Sequence, residues 1–183
     1  MKTLLFAVSL LPLAMFAFSC QPQPTSLTDV QKAAIEDSAK AVVNAVIANA
    51  NKLDFNAYFQ FYSADADGRY IENGSMSPSL DEMKKGYIDL APTLESLQNT
   101  VDAIDVLVLG PDAASLTVPF HFSFKPKGHP EYKAQGVFSV IVQRRAGSWK
   151  IVQSHESWVN PEQVMAALVP PATKQQVAKR KQH

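Results

Sequence analysis

A strict alternation of apolar and mostly polar residues between positions 115 and 125 constrains the fold of this chain more than any other feature. Leu116, Val118, Phe120, Phe122 and Phe124 occupy the even positions. Because successive side chains of a β-strand point to opposite faces, this pattern predicts a strand with one buried and one solvated face. Such a strand is typical of an antiparallel sheet that is covered by a second layer on one side only.

Helical patterns precede this strand along the chain. Thr28-Asp29-Val30-Gln31 is typical of a capping box and opens an apolar repeat at helical spacing, which predicts one long helix over residues 28–51. A short second helix is predicted to begin after Asp54. A third, opened by a capping box at Ser79, is predicted to run through Leu94.

Three further strands and one tight turn complete the predicted domain. Asn73-Gly74 favours a hairpin turn, and strands are predicted over residues 101–109, 137–145 and 149–158. A short helix is predicted to end at Leu168. Helices that precede strands in this order predict an α+β domain over residues 28–168, with its helices on one face of an antiparallel sheet. A basic polar tail over 169–183 is expected to follow.

The first 19 residues have the features of a secretory signal peptide. A basic start at Lys2 is followed by an apolar stretch that is shorter than a transmembrane helix needs and ends in small residues. Ala17-Phe18-Ser19-Cys20 resembles the lipobox at which bacterial lipoproteins are cut and acylated. We expect a signal peptide over 1–19, a lipidated Cys20 with a tether over 20–27, and a domain anchored in the bacterial envelope that faces the periplasm. Ordinary signal-peptidase cleavage, which would leave Cys20 free, is the alternative.

Composition argues against several classes of partner. The 183 residues include 17 basic and 17 acidic side chains, so a broad electrostatic surface for nucleic acid is not expected. The single cysteine argues against a disulfide framework or a Cys-rich zinc site, and the four histidines show no metal-ligand spacing. There is no glycine-rich phosphate loop. We therefore expect no nucleic acid, no metal and no cofactor.

The order of elements resembles the nuclear transport factor 2-like superfamily, which includes ketosteroid isomerases and SnoaL-like polyketide cyclases. Three stretches carry the resemblance, at residues 54–65, 69–74 and 147–157. It implies a cone-shaped, strongly bent antiparallel sheet wrapped around the long N-terminal helix, with two further helices and a pocket at the wide end. Members include isomerases, cyclases, dehydratases and ligand-binding modules, and many are dimers.

Strand parity predicts which side chains face that pocket. Even positions are apolar on the strands around residues 120 and 138, and family members often place pocket groups at the end of the last strand. We expect a small apolar ligand to contact Phe59, Tyr62, Tyr70, Phe120, Phe122, Phe138, Ser154 and Trp158. Pro119 favours either a sheet edge or a β-bulge, and a bulge would shift this parity by one.

Glu156 is the candidate catalytic residue. A carboxyl group surrounded by these aromatic rings would be desolvated, which would raise its pKa and suit a general base that removes a proton next to a carbonyl. The more common alternative is a carboxylate that is solvated at the mouth of the pocket or paired with a nearby lysine.

Parity also places Trp149 and Ile151 on the outer face of the sheet, which favours a subunit contact.

Three functional hypotheses follow, in order of preference. The first is a membrane-tethered domain that binds a small molecule. The second is an enzyme of the isomerase, cyclase or dehydratase type with Glu156 as its base. The third is an envelope interaction module that forms a homodimer through Trp149 and Ile151.

Overall fold

The structure is a computed structural model that describes residues 26–65 and 67–168. The predicted signal peptide, Cys20, most of the tether and the basic tail lie outside the described residues. Within them, no helix is long and apolar enough to cross a lipid bilayer.

Four helices lie where the sequence patterns predict them: α1 (Asp29–Asn51), α2 (Phe55–Phe59), α3 (Leu80–Leu90) and α4 (Pro161–Leu168). The capping box of α1 is present, because Thr28 Oγ1 accepts from the Gln31 amide at 3.2 Å and the Thr28 amide donates to Gln31 Oε1 at 2.9 Å. Helix α3 ends at Leu90, four residues earlier than predicted. Pro92 lies in a 3₁₀ turn, and Leu94 already begins a strand.

Seven strands form one sheet: β1 (Arg69–Glu72), β2 (Ser75–Met76), β3 (Leu94–Val101), β4 (Asp105–Gly110), β5 (Ala113–Pro126), β6 (Tyr132–Arg145) and β7 (Ser148–Trp158). The strand order is β2-β1-β7-β6-β5-β3, and β4 also pairs with β5. Every pair is antiparallel except β1 with β7, which is parallel. The α+β class is confirmed, with a mixed rather than purely antiparallel sheet.

The predicted strand over 101–109 is in fact the end of one strand and most of another. β3 pairs with the half of β5 that follows Pro119, and β4 pairs with the half that precedes it. Proline has no N–H to donate, and the break between β3 and β4 lies beside it, where the Asp102 amide donates to the Pro119 carbonyl at 3.0 Å. β5 and β6 pair through Pro119 and Val137 without a shift, so the bulge expected at Pro119 is absent.

The core lies between α1 and the apolar face of the sheet. Helix α1 contacts β3, β4, β5 and β7, which requires the sheet to curve around it. The predicted inward parity is confirmed for β5 and β6, because these even-numbered side chains are all buried: Leu116, Val118, Phe120, Phe122, Phe124, Phe138, Val140 and Val142.

A β-bulge in β7 overturns the predicted outer face. Ile141 pairs with Gln153, but the next residue, Val142, pairs with Ile151, so Val152 is the extra residue. Ile151 therefore faces the core and is 0% exposed. The assignment of Ile151 to the outer face is wrong.

The backbone amide and carbonyl of Ile151 are both hydrogen-bonded to the segment that follows α2. The chain after α2 runs alongside β7, where the Ile151 amide donates to the Phe61 carbonyl and the Ser63 amide donates to the Ile151 carbonyl, both at 2.8 Å. Trp149 is half-buried against the core, with the Arg144 guanidinium 5.3 Å from its ring centroid. Formation of a homodimer stays a prediction. Ile151 cannot contribute to its interface, however, because its side chain is in the core.

Candidate functional site

A cavity of about 420 Å³ lies between helices α1, α3 and α4 and the apolar face of the sheet. Its volume is in the range of small-molecule pockets. Exposed residues of α3 and α4, including Gly86 and Met165, lie at its rim. Most of the wall is apolar, formed by Val46, Ile47, Ala50, Phe55, Met83, Leu90, Leu94, Leu97, Phe120, Phe122, Phe124, Phe138, Met165 and Leu168.

The structure brings five of the predicted site residues to this cavity and leaves four in the core. Phe120, Phe122, Phe138, Glu156 and Trp158 line the wall. The other four are buried but are not part of the wall: Phe59, Tyr62, Tyr70 and Ser154. The roles of all nine in binding or catalysis stay predictions.

Two carboxyl groups stand side by side in this mostly apolar wall. Glu72 ends β1 and pairs in register with Glu156 of the parallel strand β7. Adjacent strands are about 4.8 Å apart, and both side chains face the cavity. Trp158 Nε1 donates to Glu156 Oε1 at 2.5 Å, and the Tyr87 hydroxyl donates to Glu72 Oε1 at 3.2 Å.

Asn73 holds this pair in place. It starts the tight turn between β1 and β2, where Asn73 has φ 47° and Gly74 has φ 82°, a geometry that favours Asn-Gly. From this turn the Asn73 amide donates to the Glu156 carbonyl at 2.9 Å, and Asn73 Oδ1 accepts from the Trp158 amide at 2.8 Å. Asn73 therefore fixes the end of β1 against β7 directly after Glu156, once through its backbone amide and once through its side chain.

Burial dominates the electrostatics of both carboxyl groups. The pKa of Glu156 is raised from 4.5 to about 7, chiefly by desolvation and also by the neighbouring Glu72 carboxylate, against the opposing effect of the Trp158 hydrogen bond. Desolvation also raises the pKa of Glu72, against the hydrogen bond from Tyr87. A carboxyl group that is half-protonated near neutral pH can act as a proton donor or acceptor.

Buried tyrosines surround the carboxyl pair. The Tyr58 and Tyr62 hydroxyls are hydrogen-bonded at 2.8 Å, and the Tyr58 ring stacks on that of Tyr87 at 5.8 Å between centroids. Burial raises the pKa of Tyr58, Tyr62 and Tyr87 well above the usual range, so these hydroxyls stay protonated. They can donate hydrogen bonds but do not supply charge.

The sequence patterns missed Glu72, Tyr58 and Tyr87. Tyr87 lies on the same helical repeat as Met83 and Leu90, which marked α3 as amphipathic but did not indicate what it covers. Glu72 directly precedes the Asn73-Gly74 turn, which predicted a hairpin but not the parallel pairing of β1 with β7. No group of three or more His, Cys, Asp and Glu side chains among the described residues could hold a metal ion.

Comparisons with known proteins support the fold. A nuclear transport factor 2-like superfamily protein from Salmonella enterica is 17% identical, with a TM-score of 0.63 over 69% of this chain and 92% of the other. An NTF2-like family protein from Streptomyces avermitilis, provisionally described as a dehydratase, is 17% identical, with a TM-score of 0.62 over 70% and 98%. A type 2 hexachlorocyclohexane dehydrochlorinase (LinA) is 13% identical, with a TM-score of 0.59 over 72% and 89%.

At these identities the structural matches show the fold alone. None of the curated proteins matches the chain significantly. Residues 39–161, more than half of the chain, match the SnoaL-like domain family. That stretch extends from the middle of α1 to the start of α4 and contains both carboxyl groups of the cavity. The protein therefore belongs to the SnoaL-like domain family and has the nuclear transport factor 2-like fold.

Proposed function

We propose that this domain binds a small, mostly apolar molecule in the cavity between its helices and its sheet. The observation that carries the proposal is the cavity of about 420 Å³, whose wall is mostly apolar. Burial of apolar ligand surface against such a wall provides the driving force for binding. The carboxyl groups and tyrosine hydroxyls would orient the polar part of the ligand.

A substitution at Gly86 tests this proposal. Gly86 lies on α3 at the cavity, and a Cβ added there would meet no atom within 4 Å. We expect Gly86→Phe to fill the cavity and weaken binding of the neutral dye Nile red about tenfold or more, measured by fluorescence titration. Lys85→Phe is the matched control, because Lys85 is exposed on the same helix and does not line the cavity. Equal binding by both variants would mean that the dye binds elsewhere.

We propose further that the domain is tethered to a bacterial envelope membrane through a lipid on Cys20, facing the periplasm. The lipobox-like sequence at residues 17–20 and the polar, proline-containing segment after it support this location. We expect radiolabelled palmitate to be incorporated in a bacterial host and to be lost in Cys20→Ser. An unlabelled wild-type protein would instead indicate ordinary cleavage with a free cysteine.

An elimination or isomerisation enzyme is the second candidate, favoured by the buried carboxyl group of Glu156. The similar structures described as a dehydratase and a dehydrochlorinase carry names of elimination reactions, which remove a proton from carbon. In this candidate Glu156 removes the proton from carbon, and a protonated tyrosine hydroxyl of the cavity stabilises the enolate oxygen. In a dehydration the C–O bond to the β-hydroxyl group then breaks, and that hydroxyl takes up the proton from Glu156 and leaves as water.

This candidate predicts that Glu156→Gln abolishes turnover of β-hydroxy carbonyl compounds without lowering the melting temperature. The reason is that glutamine retains the shape and accepts from Trp158 but cannot take up a proton. Glu131→Gln, at an exposed carboxylate outside the cavity, should retain the wild-type rate. Assays of dehydration across a compound panel would measure both variants, and a rate that survives Glu156→Gln would reject the role of Glu156.

A further inference from the structure

We propose that the natural ligand is a hydrophobic amine, bound with its ammonium group at Glu72 and Glu156 and its apolar body against the aromatic wall. This inference rests on the proposed function, since it names the class of molecule that the cavity selects. It is carried by the charges, hydrogen bonds and rings that line the cavity.

The ionisable side chains that line the cavity are three carboxyl groups and two tyrosines, and the tyrosines are neutral. Glu72 and Glu156 lie in the wall and Glu82 lies at the rim, whereas no lysine, arginine or histidine of the described residues lines the cavity. None of the ion pairs in the described part of the chain includes any of these three. The cavity therefore favours a cation and disfavours an anion.

The hydrogen bonds of the carboxyl pair leave room for a charged donor. Glu156 accepts from Trp158 and Glu72 accepts from Tyr87, each through Oε1 and each from a neutral donor. The Oε2 atoms of both groups have no hydrogen-bond partner within the residues that the structure describes. Both side chains are partly buried, and removal of a carboxylate from water is unfavourable unless a cation and hydrogen-bond donors compensate it. An ammonium group supplies the charge and three donors together.

Aromatic rings adjoin the carboxyl pair on the same wall. Phe122 and Trp158 lie 5.6 Å apart between ring centroids, and Tyr87 stacks on Tyr58. Aromatic faces attract cations, and they also provide the apolar contact that the rest of an organic amine needs. A hydrated metal cation would gain little from this wall.

The carboxyl pair predicts how the affinity for an amine changes with pH. Titratable groups that face Glu156 are Glu72 from β1, Tyr58 from α2, Tyr62 after it and Tyr87 from α3, with Glu82 at the rim. The tyrosines stay neutral, and the pKa of about 7 makes Glu156 a group that changes charge near neutral pH. Amine binding should strengthen as pH rises through about 7, where Glu156 loses its proton. A neutral ligand should lack this dependence.

Three probes with one indole body test the inference on the purified full protein by calorimetric titration: tryptamine, tryptophol and indole-3-propionate. At pH 8 we expect tryptamine to bind about tenfold more tightly than tryptophol, and the anionic probe to bind most weakly. Between pH 8 and pH 5.5 the tryptamine affinity should fall about tenfold, and the tryptophol affinity should hold.

Two variants distinguish the carboxyl pair from the surface. Glu156→Gln should remove most of the preference for tryptamine over tryptophol, whereas Glu131→Gln should leave the affinity for both probes as in the wild type. Gly86→Phe should weaken both probes. If the wild type binds tryptophol as tightly as tryptamine or more tightly, the amine inference is overturned, while the proposal of an apolar binding pocket is retained. Tryptamine binding that survives Gly86→Phe would also overturn it, and failure of all three probes together with Nile red would reject the proposed function itself.

Discussion

Replacement of Ile151 by alanine is expected to lower the free energy of unfolding by about 2–5 kcal/mol. Ile151 is 0% exposed, and its side chain faces the core because of the bulge at Val152. Truncation there removes buried apolar contacts and leaves a cavity that the surrounding sheet cannot readily close. Urea denaturation of the wild type and the variant measures the difference.

Gln153→Ala is the matched control for this prediction. Gln153 lies on the same strand but its side chain is exposed, so its truncation should change the unfolding free energy by less than about 0.5 kcal/mol. Simple alternation along β7 would instead place Ile151 and Gln153 on one face. Similar small effects for both variants would therefore mean that β7 has no bulge and that Ile151 lies outside.

The second large effect concerns pH. Glu156 has its pKa raised from 4.5 to about 7 in the folded protein. Between these values the unfolded chain has released the proton while the folded chain still holds it, so the free energy of unfolding falls as pH rises through this window. A shift of this size corresponds to at most about 3 kcal/mol, reached above pH 7 and absent below the unfolded-state pKa.

Glu156→Gln should remove this pH-dependent loss of stability. We expect the variant and the wild type to have similar stability at pH 4, and the variant to be more stable by about 2 kcal/mol at pH 8. Chemical denaturation at pH values from 4 to 8 measures the difference, and Glu131→Gln, at an exposed carboxylate, should follow the wild-type curve. If the free energies of unfolding of Glu156→Gln and the wild type differ by the same amount at every pH in this range, the carboxyl group of Glu156 is solvated.

Much of the fold could be predicted because its signals are local. The capping box at Thr28, the Asn73-Gly74 turn and the alternation around Phe122 each depend on residues close together in the chain, and each is present as predicted. The inward direction of Phe120, Phe122 and Phe138 followed from the same alternation. These signals also carried the resemblance to the superfamily.

The predictions that were wrong depend on how distant segments of the chain pack against one another. Bulges are set by how two strands fit together, so parity carried across Val152 put Ile151 on the wrong face. Phe59, Tyr62, Tyr70 and Ser154 are buried as aromatic and strand positions suggest, but burial alone does not show which buried residues border a cavity. That distinction depends on how closely α1, α3 and α4 approach the sheet.

By itself the sequence determined the elements, the class of fold and the apolar face of the sheet, because hydrophobic periodicity and turn chemistry act over a few residues. Only the tertiary structure decided that Glu72 stands beside Glu156. The parallel pairing of β1 with β7 brings together two carboxyl groups that are remote in the chain, and the surrounding core removes them from water. The raised pKa of Glu156 arises chiefly from this desolvation and secondly from Glu72, and the cationic ligand that we infer follows from the pairing of the two carboxyl groups.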